Sequence, residues 1–198
     1  MSKDLSTFSA STAGPAATSV WLHTTGIVLG GSVLVAACAQ VALPLWFTPV
    51  PLTLGSCAVL LVGLLLSPRL AAATLATYLV EGALGLPVFA PGQTLTGGLA
   101  HLFGPTGGYL LAYPAAAMLI SYLWRRGGHG FSWAMASAAL GSFVILACGA
   151  IWLAALTHAP VRTAIPLAVL PILPGDALKV AAAAGLATGF QRLRRRTP

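Results

Sequence analysis

Acid is almost missing from this sequence. Among its 198 residues only Asp4, Glu81 and Asp176 are acidic, only Lys3 and Lys179 are lysines, and charged residues make up 7%. Such sparse charge excludes an ordinary water-facing surface, for which about a quarter of the residues would be charged. The three cysteines, Cys38, Cys57 and Cys148, stand apart in apolar runs with no CxxC or Cys/His spacing. That argues against a disulfide framework and against a metal centre. No Walker sequence is present, so any ATP hydrolysis belongs to other chains. His23, His101, His129 and His158 are scattered one by one, with no nucleophile or metal set around them. What fills the sequence instead is apolar: 58% of residues are hydrophobic and the mean hydropathy is +0.90. These values indicate an integral membrane protein, long enough for about six spans at roughly 20 residues each.

Residues 1–20 are rich in Ser, Thr and Ala without an apolar period, the composition of a flexible cytoplasmic arm. They hold no continuous apolar core ahead of the first span, so a cleaved signal peptide is not expected. Apolar stretches follow at 24–43, 52–66, 69–82, 107–124, 131–157 and 175–190. They predict an all-α integral membrane domain over 21–191, with six transmembrane helices in one bundle and a basic tail at 192–198. Trp21 and Trp46 flank the first span, where interfacial aromatics belong. Pro44, Pro49 and Pro51 turn the chain into the second span, and Ser67-Pro68-Arg69 closes it. The Gly/Pro-rich connection 86–106 is longer than bundle connections usually are, which makes it a candidate lid or binding loop. Within it Gly104-Pro-Thr-Gly-Gly108 lacks both the lysine and the preceding strand of a phosphate loop.

Placing the bases on this map orients the chain. With the N-terminus inside, Lys3, Arg69, Arg125, Arg126, Arg192, Arg194, Arg195 and Arg196 fall on the inner side and only Arg162 on the outer. The positive-inside rule therefore predicts that both termini are cytoplasmic. The arginine-rich tail reads as an anchor facing anionic lipid, not as a nucleic-acid arm.

Inside this apolar chain, Pro171-Ile-Leu-Pro-Gly-Asp-Ala-Leu-Lys-Val180 carries both an acid and a base. An ionised side chain at membrane depth costs roughly 2.5 to 3.5 kcal/mol, so it persists only when paired or used. Asp176 and Lys179 are three apart, on one helix face, in a helix expected to begin near Gly175. At about 1.5 Å per residue, Asp176 lies roughly 24 Å above Arg192, Lys179 about 20 Å above it, and Glu81 roughly 18 Å above Arg69. All three are expected in the outer half, in a common chamber beside the long loop. A structural ion pair pinning one helix to another is the alternative.

Several short motifs recur in one order along residues 36–179. Thr48-Pro-Val-Pro-Leu-Thr53, Gly63-Leu-Leu-Leu-Ser-Pro-Arg69 and Tyr78-Leu-Val-Glu-Gly-Ala-Leu-Gly-Leu-Pro-Val-Phe89 are followed by Phe103-Gly-Pro-Thr-Gly-Gly-Tyr109 and Leu173-Pro-Gly-Asp-Ala-Leu-Lys179. Together they resemble the biotin-specific substrate-binding (S) component of bacterial energy-coupling factor (ECF) transporters. The resemblance implies six helices in the bacterial cytoplasmic membrane, high-affinity capture of biotin from outside, and no cofactor. It implies as partners a transmembrane coupling protein and a pair of cytoplasmic ABC-type ATPases. For the ligand it implies Asp176 accepting from the ureido nitrogens and Lys179 donating to the ureido oxygen while paired with Asp176. It also implies a further contact at Glu81, walls from Tyr78 and Tyr109, and Gln93 or His101 near the carboxylate. On the first helix Ala36, Ala37 and Ala39 fall where the family carries its small-residue patch for the coupling protein. Transport as a homo-oligomer, an S component for another vitamin, a structural membrane partner, and an intramembrane enzyme using Glu81 or Asp176 as acid or base are the other readings.

Overall fold

The structure, a computed structural model, describes residues 15–43, 50–91, 98–128, 130–158, 160, 169 and 172–196, and only the backbone of 15–18, 195 and 196. Helix α1 (Pro15–Gln40) runs into an antiparallel pair of two-residue strands, β1 (Ala42–Leu43) and β2 (Leu52–Thr53). Ala42 stands opposite Thr53, and Leu43 opposite Leu52. Then follow α2 (Gly55–Leu65), α3 (Pro68–Ala83), the one-turn α4 (Leu99–Leu102), α5 (Gly107–Arg126), α6 (Phe131–Thr157) and α7 (Leu173–Arg196). Apart from the small strand pair the fold is all-α.

The chain's prolines and glycines set most of these boundaries. Pro68 sits in the first turn of α3, where no partner for an N–H is needed. It also keeps Ser67 extended, which stops α2. Helix α6 ends where His158 takes a left-handed backbone with φ 52°. Several boundaries differ from the sequence expectation: α1 begins at Pro15, inside the stretch expected as a flexible arm, and ends at Gln40 because Ala42 and Leu43 pair with β2. The second helix begins at Gly55 because Leu52 and Thr53 pair with β1, and α7 begins at Leu173 because Pro174 fits inside a first helical turn. Helix α7 also continues through Arg196, into the stretch expected as a tail.

Helix α5 is the hub of the bundle, packing on α6, α3 and α2. Its start lies hard against α6. A Cβ on Gly108 would stand 2.2 Å from the Trp152 Cβ, and one on Gly149 would stand 2.3 Å from the Tyr109 ring. Only glycine lets these backbones approach so closely. Helix α7 buries Asp176, Lys179, Val180, Ala183, Ala184 and Ala187, a stripe at three- and four-residue spacing. Facing away from the bundle, Val33, Phe143, Ile151, Leu178, Leu186 and Leu193 are exposed although apolar. An exposed apolar surface of this kind suits lipid, not water. Among the described residues, two segments, Ser19–Gln40 and Phe131–Thr157, are long and apolar enough to cross a membrane. Helix α2, with 11 residues, reaches only about 16 Å, roughly half of a hydrocarbon core.

Candidate functional site

A cavity of about 140 Å³ lies where α1, β2 and α2 through α7 converge. Its wall is mostly apolar and aromatic, with Leu52, Ile145 and Leu146 beside Tyr78, Tyr109 and Tyr113. Tyr109 and Tyr113 lie one turn apart on α5 and so share a face. The Tyr113 ring stacks on Tyr78 from α3 at 6.4 Å, and Tyr78 meets Phe89 edge-on at 5.4 Å. Phe89 in turn stacks on His101 of α4 at 5.1 Å.

The segment after α3 is strapped down beside these rings. Gln40, the last residue of α1, donates through Nε2 to the Pro87 and Phe89 carbonyls at 3.0 Å each, and the Tyr78 hydroxyl donates to the Val88 carbonyl at 3.2 Å. These bonds satisfy backbone groups that no helix or strand pairs. They also fix Phe89, on which His101 stacks, beside Ala90, and His101 and Ala90 both line the cavity. This is the described beginning of the connection expected as a lid.

The polar face of the cavity comes from α7. Asp176 and Lys179 line it and are each only 7% exposed, so both charges must be compensated inside the protein. Ser142 of α6 donates to Asp176 Oδ2, and Lys179 Nζ donates to Ser56 Oγ of α2 at 3.0 Å. The direct Asp176–Lys179 pair expected from the sequence does not form. Each charge instead reaches sideways to a serine on a different neighbouring helix.

Five of the expected site residues therefore meet around one cavity: Asp176, Lys179, Tyr78, Tyr109 and His101. Gln93 lies outside the described residues. Glu81 does not join them. Three residues on from Tyr78 it is turned by roughly 60° about the axis, and its carboxylate accepts from Ser32 of α1. The expected common chamber thus holds two of the three charges expected in it. The small-residue patch on α1 is also corrected. Ala39 is 3% exposed and lines the cavity, because Ser32, Val35 and Ala39 form the inward stripe of α1. Ala36 is half-buried against the core, and only Ala37 is exposed.

Sequence reading missed Tyr113, Ser56 and Ser142. A tyrosine in an apolar helix reads as packing, and a serine in one is cheap enough to pass unremarked. The available signal was Tyr113 four residues after Tyr109, and each serine directly following a glycine, in Gly55-Ser56 and Gly141-Ser142.

A solved S-component for biotin from an ECF-type ABC transporter superposes with a TM-score of 0.79, covering 90% of this chain and 94% of that one at 24% identity. At that identity the likeness establishes the fold. Among curated proteins, a probable biotin transporter BioY of Pyrococcus horikoshii is 39% identical over 143 residues, 72% of this chain and 82% of that protein. The biotin transporter BioY of Thermotoga maritima is 35% identical over 160 residues, 81% of this chain and 90% of that protein. Residues 9–196 match the model of the BioY family, and with relatives of this identity and coverage the chain belongs to that family.

Proposed function

We propose that this chain captures biotin at the outer face of the bacterial cytoplasmic membrane, as the substrate-binding subunit of an ECF uptake transporter. In this reading α1, α2, α3, α5, α6 and α7 form the six membrane helices, with the short α2 reaching only part of the way across, and both termini lie in the cytoplasm. The observation that carries the proposal is a buried acid and base one turn apart in a mostly aromatic and aliphatic cavity, in a chain of the BioY family.

Biotin matches such a cavity group by group. Its ureido ring presents N–H donors and a carbonyl acceptor, its bicycle and tail are apolar, and its far end is a carboxylate. Asp176 accepts from a ureido N–H, and Lys179 donates to the ureido oxygen. Tyr78, Tyr109 and Tyr113 enclose the bicycle, while His101, or Gln93, meets the carboxylate. The ligand supplies hydrogen bonds that water would otherwise have to bring into the cavity, which gives specificity for a urea-like head group.

No step of this function needs bond chemistry, only binding and release. With no Walker sequence in the chain, the energy for accumulation comes from cytoplasmic ATPases through a transmembrane coupling protein. That protein docks on the exposed face of α1, around Ala37. Titration of the purified chain in nanodiscs with biotin tests the proposal. Saturable binding that is strongly weakened in Asp176→Asn is expected. A flat titration of the wild-type chain overturns the assignment, and recovery of chemically altered biotin would replace it with an enzymatic one.

A further inference from the structure

Asp176 and Lys179 line the same cavity from the same helix face and lie three residues apart, yet they do not bond to each other. In a site of low polarity two opposite charges at this spacing attract strongly, and collapse onto one another is the arrangement to expect. Each charge instead meets a hydroxyl. Ser142, on α6, donates to Oδ2 of Asp176, and Ser56, at the start of α2, accepts from Nζ of Lys179. Ser142 is itself 4% exposed and does not line the cavity; it stands behind the carboxylate, one turn before Ile145 and Leu146, which do.

We propose that Ser142 and Ser56 are positioning residues that hold the acid and the base apart, so that a ligand bearing a hydrogen-bond donor next to an acceptor bridges them. The inference rests on the binding reading given above and adds what prepares the site for it. With Oδ2 engaged by Ser142, the carboxylate turns its other oxygen to the ligand as a pure acceptor. With one ammonium proton engaged by Ser56, Lys179 keeps two protons for donation. A urea-type group, N–H beside C=O, then fits between them without first breaking an ion pair. In a site without these serines the ligand has to compete with a contact inside the protein, and preorganisation is lost.

The test uses the full chain in nanodiscs, with biotin as the ligand. Ser142→Ala and Ser56→Ala are each expected to weaken binding on the order of tenfold, as for a lost hydrogen bond to a charged group. The melting temperature without ligand should stay near that of the wild type, because the freed charges pair with each other. Ser142→Thr, which keeps the hydroxyl, should restore most of the affinity. Unchanged affinity in both alanine variants overturns the proposal. So does a loss of affinity that tracks a loss of melting temperature and is not rescued by threonine. Infrared difference spectra of the ligand-free protein, with Asp176→Asn assigning the band, keep the test independent of biotin. The Asp176 carboxylate stretch should shift in Ser142→Ala, and an unshifted band overturns the proposal even if the wild-type chain binds biotin. If the wild-type chain fails to bind biotin while the band does shift, the binding reading fails and the positioning role stands.

Discussion

A carboxylate and an ammonium withdrawn from water are tolerable only while something inside the protein answers them, and in this chain the answers are hydroxyls. Removing either charge leaves its neighbours unsatisfied and, in the binding reading proposed above, removes the ligand's partner as well. Asp176→Asn and Lys179→Met are each expected to cost about 2 to 5 kcal/mol of biotin binding by calorimetry, the range for truncating one member of a buried charged contact. Glu81 should behave differently, because its carboxylate serves Ser32 and not the cavity. Glu81→Ala is expected to leave biotin affinity unchanged and to lower stability by about 1.5 to 3 kcal/mol, the worth of one hydrogen bond to a carboxylate between α1 and α3. A thermal melt paired with a biotin titration separates the two effects, and a large loss of affinity in Glu81→Ala would contradict its placement outside the site. Asp176 and Lys179 were legible in the sequence because charge inside an apolar run is conspicuous. The direction in which each points was not legible. Three residues of separation allow an ion pair as readily as two outward contacts, and the choice depends on serines more than 30 and more than 120 positions away in the chain.

At the level of elements, the cavity depends on how closely α5 and α6 approach and on how the segment after α3 is tied down. Gly108→Val places a side chain where the Trp152 Cβ already lies. It is expected to destabilise the protein by about 1 to 3 kcal/mol, the usual penalty for overpacking, which a thermal melt in nanodiscs would register. An unchanged melt would mean that the two helices have room to separate. Gln40→Ala releases two carbonyls of the strap beside Phe89. The expected result is faster biotin dissociation in a chase experiment with little change in stability. Equal dissociation rates would remove the strap from the account. Helix positions were legible from apolar runs bounded by proline and glycine. The strand pair was not, because Leu52 and Thr53 extend an apolar run in which period alone does not separate a buried strand from a helix.

For the whole molecule, the bases carry the orientation. Arg69, Arg125, Arg126, Arg192 and Arg194 lie at α3, α5 and α7 ends, and the topology proposed above puts those ends in the cytoplasm. In intact cells, and in a background with the native cysteines replaced, a membrane-impermeant thiol reagent is expected to label Pro160→Cys and to leave Gly128→Cys unlabelled until the membrane is opened. The reverse pattern would invert the protein in the bilayer. The family was legible because its motifs occur in order along most of the chain. Which of the small residues of α1 face the bundle was not, since a run of small residues does not say which of them turns inward, and here Ala39 does.

The most direct test is an experimental structure of the chain with biotin bound. The account predicts the ureido ring between Asp176 and Lys179, its N–H on the carboxylate and its oxygen on the ammonium, with the bicycle against Tyr78, Tyr109 and Tyr113. Biotin turned end for end, with its carboxylate on Lys179, or seated outside this cavity, would contradict it.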